Sequence, residues 1–187
     1  MCPKLLGEAN FLKTLLAEDR KEAERVRLAG CPHCGGALHQ ANYPRKVRGV
    51  GKEASGLFER RLSLCCGRCR RRQTPASLRF LGRKVYAGAA VLVAGVQALK
   101  RSLSAAMRSV GAGQRTVRRW RQWFRELPQS SLWQRRAGML RTPPATERLP
   151  LSVLEELAAD NDAERLELGL RFFAQLGRSY RDPGVAD

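Results

Sequence analysis

Two cysteine pairs constrain the fold of this chain more than any other feature. Two residues separate Cys31 from Cys34 and Cys66 from Cys69, and 31 residues lie between the pairs. A two-residue gap lets both thiolates of a pair reach one ion from a single tight turn, and tetrahedral Zn²⁺ accepts four sulfur ligands. With strand-like sequence between the pairs, this spacing predicts a zinc ribbon around one structural Zn²⁺ ion. Four protein ligands would leave no open position on the metal for water or substrate.

The residues beside these cysteines leave alternatives open. A redox dithiol or a chance cluster is the alternative for either pair alone. Only Cys66 keeps the two-residue gap to Cys69, so Cys66 is the predicted ligand and Cys65 a strand residue, with Cys65 substituting for Cys66 as the alternative. His33 lies inside the first turn, too close to its neighbours to bind the same ion. Gly35 is expected to adopt the positive φ that the turn needs.

Positive charge is the strongest signal in the composition. Lys and Arg number 35 against 17 Asp and Glu, which gives a net charge of +18. Residues 1–128 hold 27 basic and 8 acidic side chains, whereas residues 129–187 hold 8 and 9. This distribution predicts a polyanion-binding body joined to a near-neutral tail. Charge alone predicts only non-specific attraction, to nucleic acid or to acidic lipid.

Membrane insertion and export are not expected. Met1–Arg27 has no continuous apolar core of the kind found in a secretory signal. The most apolar run, Val85–Leu99, has 15 residues, fewer than the roughly 20 that a membrane-spanning helix needs. We therefore expect a cytoplasmic, nucleoid-associated protein.

Hydrophobic periodicity predicts an α+β fold that is mostly α, with a small β zinc ribbon, a trihelical helix-turn-helix domain and a helical tail. In the predicted N-terminal helix, Asp19 belongs to the polar side. The predicted domains are 1–30 (N-terminal helix), 31–75 (zinc ribbon), 81–128 (helix-turn-helix), 129–150 (linker) and 151–187 (helical tail). Strands are predicted at Ala37–Tyr43 and Leu57–Leu64, and helices at Leu81–Ser102, Leu103–Val110, Arg115–Leu127, Ser152–Ala159 and Ala163–Leu176. A short helix is predicted inside the linker, near Leu132–Leu140.

Two properties of the tail follow from its sequence. Ser152 and Glu155 have the spacing of a capping box at the start of the first tail helix. The tail helices either pack back onto the body or mediate self-association or partner binding, and the sequence favours neither.

The segment Ser104–Trp120 has the layout of a helix-turn-helix. Ala106 and Val110 would face the partner helix, Gly111 would take a left-handed turn, and Ala112 would fill the corner. A buried face on the second helix would follow, formed by Val117, Trp120 and Phe124. The apolar run Val85–Leu99 would supply the third helix of the unit.

The second of these helices carries the predicted DNA contacts. Arginine can pair two donors with guanine, and glutamine can do the same with adenine. The predicted base-reading residues are Gln114, Arg115 and Arg118. The predicted backbone-contacting residues on the same helix are Thr116, Arg119, Arg121 and Arg125, with Gln122 on the same outward face. The alternative is a solvated basic helix that packs a trihelical core and reads no sequence.

A second basic cluster surrounds the later cysteine pair. Arg68, Arg70, Arg71 and Arg72 lie on the second cysteine turn, followed by Arg79, Arg83 and Lys84. Together they are expected to follow a phosphate backbone, each contact adding salt-sensitive affinity. A run of merely solvated charges is the alternative.

These motifs resemble the N-terminal DNA-binding region of bacterial insertion-sequence transposases. The resemblance covers about residues 31–127. The motifs that carry it are Cys31-Pro-His-Cys34-Gly, Cys66-Gly-Arg-Cys69-Arg-Arg-Arg-Gln-Thr-Pro75 and Thr116-Val-Arg-Arg-Trp-Arg-Gln-Trp123. It implies binding of double-stranded DNA at the terminal repeats of a mobile element.

The rest of the chain departs from that family. Strand transfer in such enzymes uses three carboxylates that hold two metal ions on an α/β domain. Residues 129–187 are too short for that domain, and their carboxylates fit a solvated helix face. We therefore expect no enzymatic activity, and a protein that acts with a separate recombinase, or is a truncated relic. A transcriptional regulator built from the same modules and an RNA-binding zinc protein are the alternatives.

Overall fold

The computed structural model describes residues 3–81 and 86–176, and its fold is α+β and mostly helical. The predicted fold class is confirmed at that level. The α-helices are α1 (Ala9–Ala29), α2 (Gly88–Lys100), α3 (Leu103–Val110), α4 (Gln114–Glu126), α5 (Ser131–Ala137), α6 (Leu151–Glu156) and α7 (Asp162–Leu176). Short 3-10 helices cover Pro3–Gly7, Lys52–Phe58, Leu127–Gln129 and Thr146–Arg148. In this part of the chain, no helix has the length and apolar character needed to cross a membrane.

The strands are short and antiparallel. They are β1 (Leu38–Gln40), β2 (Tyr43–Pro44), β3 (Arg60–Arg61), β4 (Leu64–Cys66) and β5 (Arg72–Gln73). β4 is the central strand of a sheet with β1 and β5 at its edges, and β2 pairs with β3. We call the three-stranded sheet the cysteine-bearing sheet. Leu38 lies opposite Cys66 in it, which brings the chain after the first cysteine pair beside the second pair.

The predicted strand Leu57–Leu64 is wrong at its beginning. Its first two residues belong to the 3-10 helix Lys52–Phe58, in which Ala54 and Phe58 are buried. The Phe58 ring packs edge-on against Phe80, with 5.7 Å between ring centroids. This helix also contacts α1. A short apolar run can be buried as helix or strand, and here the contact with α1 favours the helix.

The prediction that Asp19 lies on the polar side of the first helix is wrong, because Asp19 is only 1% exposed. Its carboxylate accepts hydrogen bonds from the Ser77 hydroxyl (2.5 Å), the Leu78 backbone N–H (2.6 Å) and Arg79 Nε (2.8 Å). A buried carboxylate needs such partners. These partners lie about sixty residues later in the chain, so helical periodicity within α1 could not reveal them.

α2 lies at the centre of the hydrophobic core. Every residue from Gly88 to Gln97 is buried. The helix predicted over Leu81–Ser102 is observed over the shorter range Gly88–Lys100. Residues 82–85 lie outside the described residues. Gly95 lets neighbouring elements approach α2 closely, because a Cβ there would lie 2.8 Å from Pro150 and 2.9 Å from Phe124.

The tail helices α6 and α7 pack on the helices that precede them. The Phe173 ring of α7 contacts Phe124 of α4, with ring centroids 5.6 Å apart, and Trp123, at 6.3 Å. Trp133 of α5 packs edge-on against Phe172 at 5.8 Å. These aromatic residues belong to one core cluster that also includes residues of α1, α2 and α3. Self-association through the tail stays a prediction.

The predicted capping box of Ser152 and Glu155 is wrong. α6 begins after Pro150, so Ser152 lies within the helix, where its buried hydroxyl donates to the Ala145 carbonyl at 2.7 Å. Glu155 instead forms an exposed ion pair with Arg148 at 3.0 Å. The hydroxyl is used to hold the preceding loop against the helix rather than to cap it.

Candidate metal centre and nucleic-acid interface

The four predicted cysteine ligands come together in space. The Sγ atoms of Cys31, Cys34, Cys66 and Cys69 all lie within 4.8 Å of one another. Cys31 Sγ is 3.6 Å from Cys69 Sγ, and Cys34 Sγ is 3.5 Å from Cys66 Sγ. A tetrahedral site with metal–sulfur bonds of about 2.3 Å has sulfur–sulfur distances of about 3.8 Å. The four thiols are therefore placed to hold one metal ion.

Two turns of the same backbone design present these sulfur atoms. We call residues 31–36 and 66–71 the cysteine turns. In each turn the first cysteine donates its N–H to the carbonyl five residues later (2.9 Å in both). The carbonyl of the first cysteine also accepts a hydrogen bond from the N–H four residues later (2.8 and 3.0 Å). The residue after the second cysteine has positive φ in both turns, which is 68° at Gly35, as predicted, and 61° at Arg70.

Hydrogen bonds, burial and neighbouring thiols shift the pKa values of Cys66 and Cys69. The Cys69 N–H donates to Cys66 Sγ at 3.4 Å, and this bond is the main reason that the pKa of Cys66 falls to about 6. The Arg71 N–H favours the Cys69 thiolate, but burial and the three neighbouring thiols outweigh it and raise the pKa of Cys69 to about 12. A Cβ at Gly36 would lie 3.1 Å from Cys66 Sγ. Glycine at this position therefore leaves space for the sulfur atoms to converge.

Cys65 and His33 lie outside this group. Cys65 is in β4 opposite His39, and its Sγ contacts the Arg70 carbonyl at 3.4 Å. His33 Nδ1 is 3.0 Å from an Arg71 guanidinium nitrogen. Cys66, and not Cys65, belongs to the four-sulfur group.

The turn between α3 and α4 has the predicted packing. Gly111 has φ 60° and ψ 34°, the left-handed conformation, and its N–H donates to the Met107 carbonyl. Its neighbours Val110 and Ala112 are buried, as is Ala106. Glycine accepts this conformation without strain, so α3 ends here and α4 begins three residues later.

α4 has one apolar face and one cationic face. Its buried residues are Val117, Trp120, Trp123 and Phe124. Its exposed residues include Gln114, Arg115, Arg118, Arg119, Gln122 and Arg125, and Thr116 and Arg121 are half-buried. The predicted buried face lacks Trp123, although this residue lies three positions after Trp120 and so shares that side of the helix.

The arginines on this face lack acidic partners. Among the residues that the structure describes, Arg115, Arg118, Arg119 and Arg125 make no side-chain hydrogen bond or ion pair. Several surface cations on other helices are instead paired within their own helix. Arg25 and Arg27 of α1, for example, contact the glutamates three residues before them at 2.7 Å. The cationic face of α4, defined by these four arginines, is therefore available to an external anion.

Comparison with family models, curated proteins and solved structures finds no match to this chain.

Gln122 differs from the other exposed side chains of α4. Its amide donates to Glu126 Oε1 at 2.9 Å, one helical turn later. The predicted base-reading side chains Gln114, Arg115 and Arg118 lie in the first half of the helix and face solvent.

Arg70 and Arg71 of the second cysteine turn and Arg72 of β5 occupy three different environments. The side chain of Arg70 is exposed, and Arg71 contacts His33 as described above. Arg72 donates to the Ala41 carbonyl at 2.5 Å and to the Ser63 hydroxyl at 2.9 Å, and its guanidinium lies 5.6 Å from the centre of the Tyr43 ring. Arg72 thus links β5 to the segment between β1 and β2, although its side chain is partly open to solvent.

The predicted phosphate contact at Arg79 is wrong. Arg79 is only 2% exposed, and its guanidinium donates to Asp19 and to the carbonyl oxygens of Leu57 and Arg60. The Arg79 guanidinium is buried in an ion pair with Asp19 and cannot reach a ligand. The predicted contacts at Arg83 and Lys84 lie outside the described residues.

Proposed function

We propose that this chain is a zinc-dependent DNA-binding protein of mobile-element type that recognises duplex DNA through α4. The observation that carries the proposal is the cationic face of α4, whose arginines have no partner in the described chain while the opposite face is buried in the core. A helix evolved only for solubility would be expected to carry glutamates one turn away from its arginines. Such partners are present on α1 and nearly absent from α4.

The four-thiol group supports zinc as the metal. Four sulfur ligands at tetrahedral separation are the donor set of structural zinc sites. The bound ion would supply a cross-link between the two cysteine turns, and no reaction. The cluster formed by Cys31, Leu38, Leu64 and Cys66 is small, so the cysteine-bearing sheet needs such a link to keep its shape.

The position of the side chains along α4 supports sequence reading. The N-terminal residues of a helix that follows such a turn usually contact base edges. Gln114, Arg115 and Arg118 lie there and are proposed to read bases in the major groove. The DNA backbone is proposed to be contacted by Thr116, Arg119 and Gln122 on α4, by Arg70 and Arg71 on the second cysteine turn, and by Arg72 on β5.

The mobile-element assignment rests on the resemblance of the cysteine and α4 motifs to insertion-sequence transposases. In this proposal the chain binds DNA without cutting it and acts with a separate recombinase. Binding sites at promoters, rather than at element ends, would instead identify a transcriptional regulator.

The zinc proposal is tested by metal analysis of purified protein. We expect one zinc per chain in the wild type and in Cys65→Ser, and a substoichiometric amount in Cys66→Ser, because only Cys66 contributes to the four-sulfur group. Equal zinc content in the two variants would contradict the assignment.

The DNA proposal is tested by selecting bound duplexes from a random library and measuring their affinity. Arg115→Ala and Arg118→Ala should each weaken binding to the selected site by roughly 5- to 150-fold, equivalent to about 1–3 kcal/mol per lost base contact. Their affinity for an unrelated duplex should change much less. Arg20→Ala, which removes an exposed arginine of α1, is the control and should bind as the wild type does.

Two results would overturn this proposal. If the wild type binds structured RNA of equal length more tightly than any selected duplex, the chain is an RNA-binding protein. If Arg115→Ala and Arg118→Ala lose the same affinity on every duplex, α4 contacts phosphates and reads no sequence.

A further inference from the structure

A basic loop between β2 and the 3-10 helix Lys52–Phe58 is not accounted for by α4 or by the cysteine turns. We define the basic loop as residues 45–52, which includes the first residue of that helix. Lys46, Arg48 and Lys52 in this loop are exposed. Their side chains make no hydrogen bond or ion pair with any residue in the described ranges 3–81 and 86–176. The loop thus presents three cations that nothing in this part of the chain neutralises.

The backbone of the basic loop is fixed on the helices. Arg48 forms a parallel bridge with Tyr86, and its carbonyl accepts from the Ala87 N–H at 2.9 Å. Val47 and Val50 pack against the main core. The alternation of cations with valines is the sequence signal that could have shown one face of this loop to be docked.

Gly49 brings the loop against the end of α3. A Cβ at this position would lie 2.7 Å from the Ala90 Cβ and 3.8 Å from the Val110 carbonyl oxygen. Its φ is also 80°, so both space and backbone conformation favour glycine. Val110 is the last residue of α3, immediately before the turn into α4.

Contacts continue from the loop to α4. The Tyr86 ring, which would lie 3.2 Å from a Cβ at Gly49, packs edge-on against Trp120 of α4 with 4.9 Å between ring centroids. Val110 and Gln114 are four residues apart, so their Cα atoms are separated by at most about 14 Å. The basic loop therefore lies beside the end of α4 that is proposed to read bases, at a distance smaller than the width of a DNA duplex.

We propose that the basic loop is a second DNA contact, in which Lys46, Arg48 and Lys52 bind backbone phosphates of the duplex beside the site read by α4. This inference rests on the proposed function and extends it. Duplex DNA carries a negative charge for about every 1.7 Å of helix axis, so a rigid loop next to the reading helix meets phosphates whatever the base sequence. Lysine binds phosphate as a point charge and adds affinity without specifying a base.

The test compares the salt dependence of DNA binding in two variants of equal charge. Lys46→Ala/Arg48→Ala/Lys52→Ala removes the three loop cations. Lys13→Ala/Arg20→Ala/Arg141→Ala removes three exposed cations elsewhere and is the matched control. The slope of log K against log salt should become shallower by up to about 2.7 in the loop variant, or about 0.9 for each phosphate contact. The control should keep the wild-type slope.

A measurement on the wild type checks the same point without a variant. Lysine acetylation with and without the selected duplex should show protection of Lys46 and Lys52, and no protection of Lys13, which is exposed on α1. Preference for the selected site over an unrelated duplex should be unchanged in the loop variant.

The outcomes separate the two proposals. A wild type that binds no duplex overturns the proposed function and this inference with it. A wild type that binds, with the same slope in both triple variants and no protection of Lys46 and Lys52, overturns only the loop contact. Loss of site preference in the loop variant would also overturn it, because the loop would then read bases.

Discussion

Arg70 is the one non-glycine residue with positive φ among the described residues, and it follows the last cysteine of the four-sulfur group. The equivalent position of the first cysteine turn is Gly35. A side chain in the left-handed region costs on the order of 1 kcal/mol or more, so the two turns differ in strain although their hydrogen bonds match.

Substitution at this position should separate strain from charge. Arg70→Gly and Arg70→Ala both remove the guanidinium, but only glycine adopts φ near 61° without strain. We expect the zinc-loaded glycine variant to be more stable than the alanine variant by about 1 kcal/mol, measured by urea denaturation. Equal stability of the two variants would show that the backbone is not strained there.

The Asp19–Arg79 pair gives a second prediction at the residue scale. Because both side chains are almost fully buried, removing one leaves an uncompensated charge in the core. Asp19→Ala should lower the free energy of unfolding by about 3–5 kcal/mol. Asp19→Leu/Arg79→Met should lose less than the single variant does.

An exposed ion pair provides the control for this experiment. Glu155→Ala removes the partner of Arg148, and its cost should be no more than about 1 kcal/mol because water screens that pair. A cost at Asp19 as small as the cost at Glu155 would contradict the structural role assigned to the buried pair.

At the scale of elements, the close packing around α2 depends on Gly95. Pro150 and Phe124 both approach the position where a Cβ would lie, and neither can move without shifting α4 or the segment before α6. Gly95→Ala should therefore destabilise the protein by about 1–3 kcal/mol in thermal unfolding.

A glycine in open surroundings is the comparison. Gly138 follows α5, and a Cβ there would meet no atom closer than 3.6 Å. Gly138→Ala should leave the melting temperature nearly unchanged or raise it slightly. If Gly95→Ala behaves in the same way, the space beside α2 is larger than the structure shows.

The sequence predicted those elements whose signals are local. The end of α3 at Gly111 and the start of α4 follow from one glycine and the spacing of Val117, Trp120 and Phe124. The four-sulfur group follows from two short spacings, one in each cysteine turn. The signal for each of these features lies in residues within a few positions of one another, although the two cysteine turns are far apart in the chain.

Features that depend on distant partners could not be predicted. The burial of Asp19 depends on Ser77 and Arg79, and the docking of the basic loop depends on Tyr86 and Val110. The segment Lys52–Phe58 is helical because it packs on α1, with Phe58 buried beside Phe80. In each case the tertiary contact overrides the local pattern. Charge and periodicity alone therefore predicted the wrong environment for Asp19 and the wrong structure at the end of Lys52–Phe58, and they did not predict the docking of the basic loop.

At the scale of the whole molecule, two hydrophobic clusters of unequal size set the response to metal removal. The cysteine-bearing sheet has a small cluster of its own, whereas the helices share a large one. Chelation of the proposed zinc ion should therefore abolish protection from hydrogen exchange in β1 and β4 while leaving α2 and α4 protected, as measured by mass spectrometry.

Two other results would show how the stability of the helices and of the cysteine-bearing sheet depends on the metal. If α2 loses protection together with β4, the helical core depends on the metal as well, and the protein unfolds as one unit. If β4 keeps its protection, the metal does not hold the sheet.

The hydrogen bonds of Asp19 to Ser77 and Arg79 also bear on the speed of folding. They join residues 58 to 60 positions apart, so the chain must close a long loop before α1 can dock. If the proposed zinc ion joined the two cysteine turns first, it would shorten the path between these residues to roughly 20 positions and reduce the entropic cost of closure by about 1 kcal/mol. The ion would then speed the folding of helices that it does not contact. The rate at which the helical core assembles would depend on the concentration of metal.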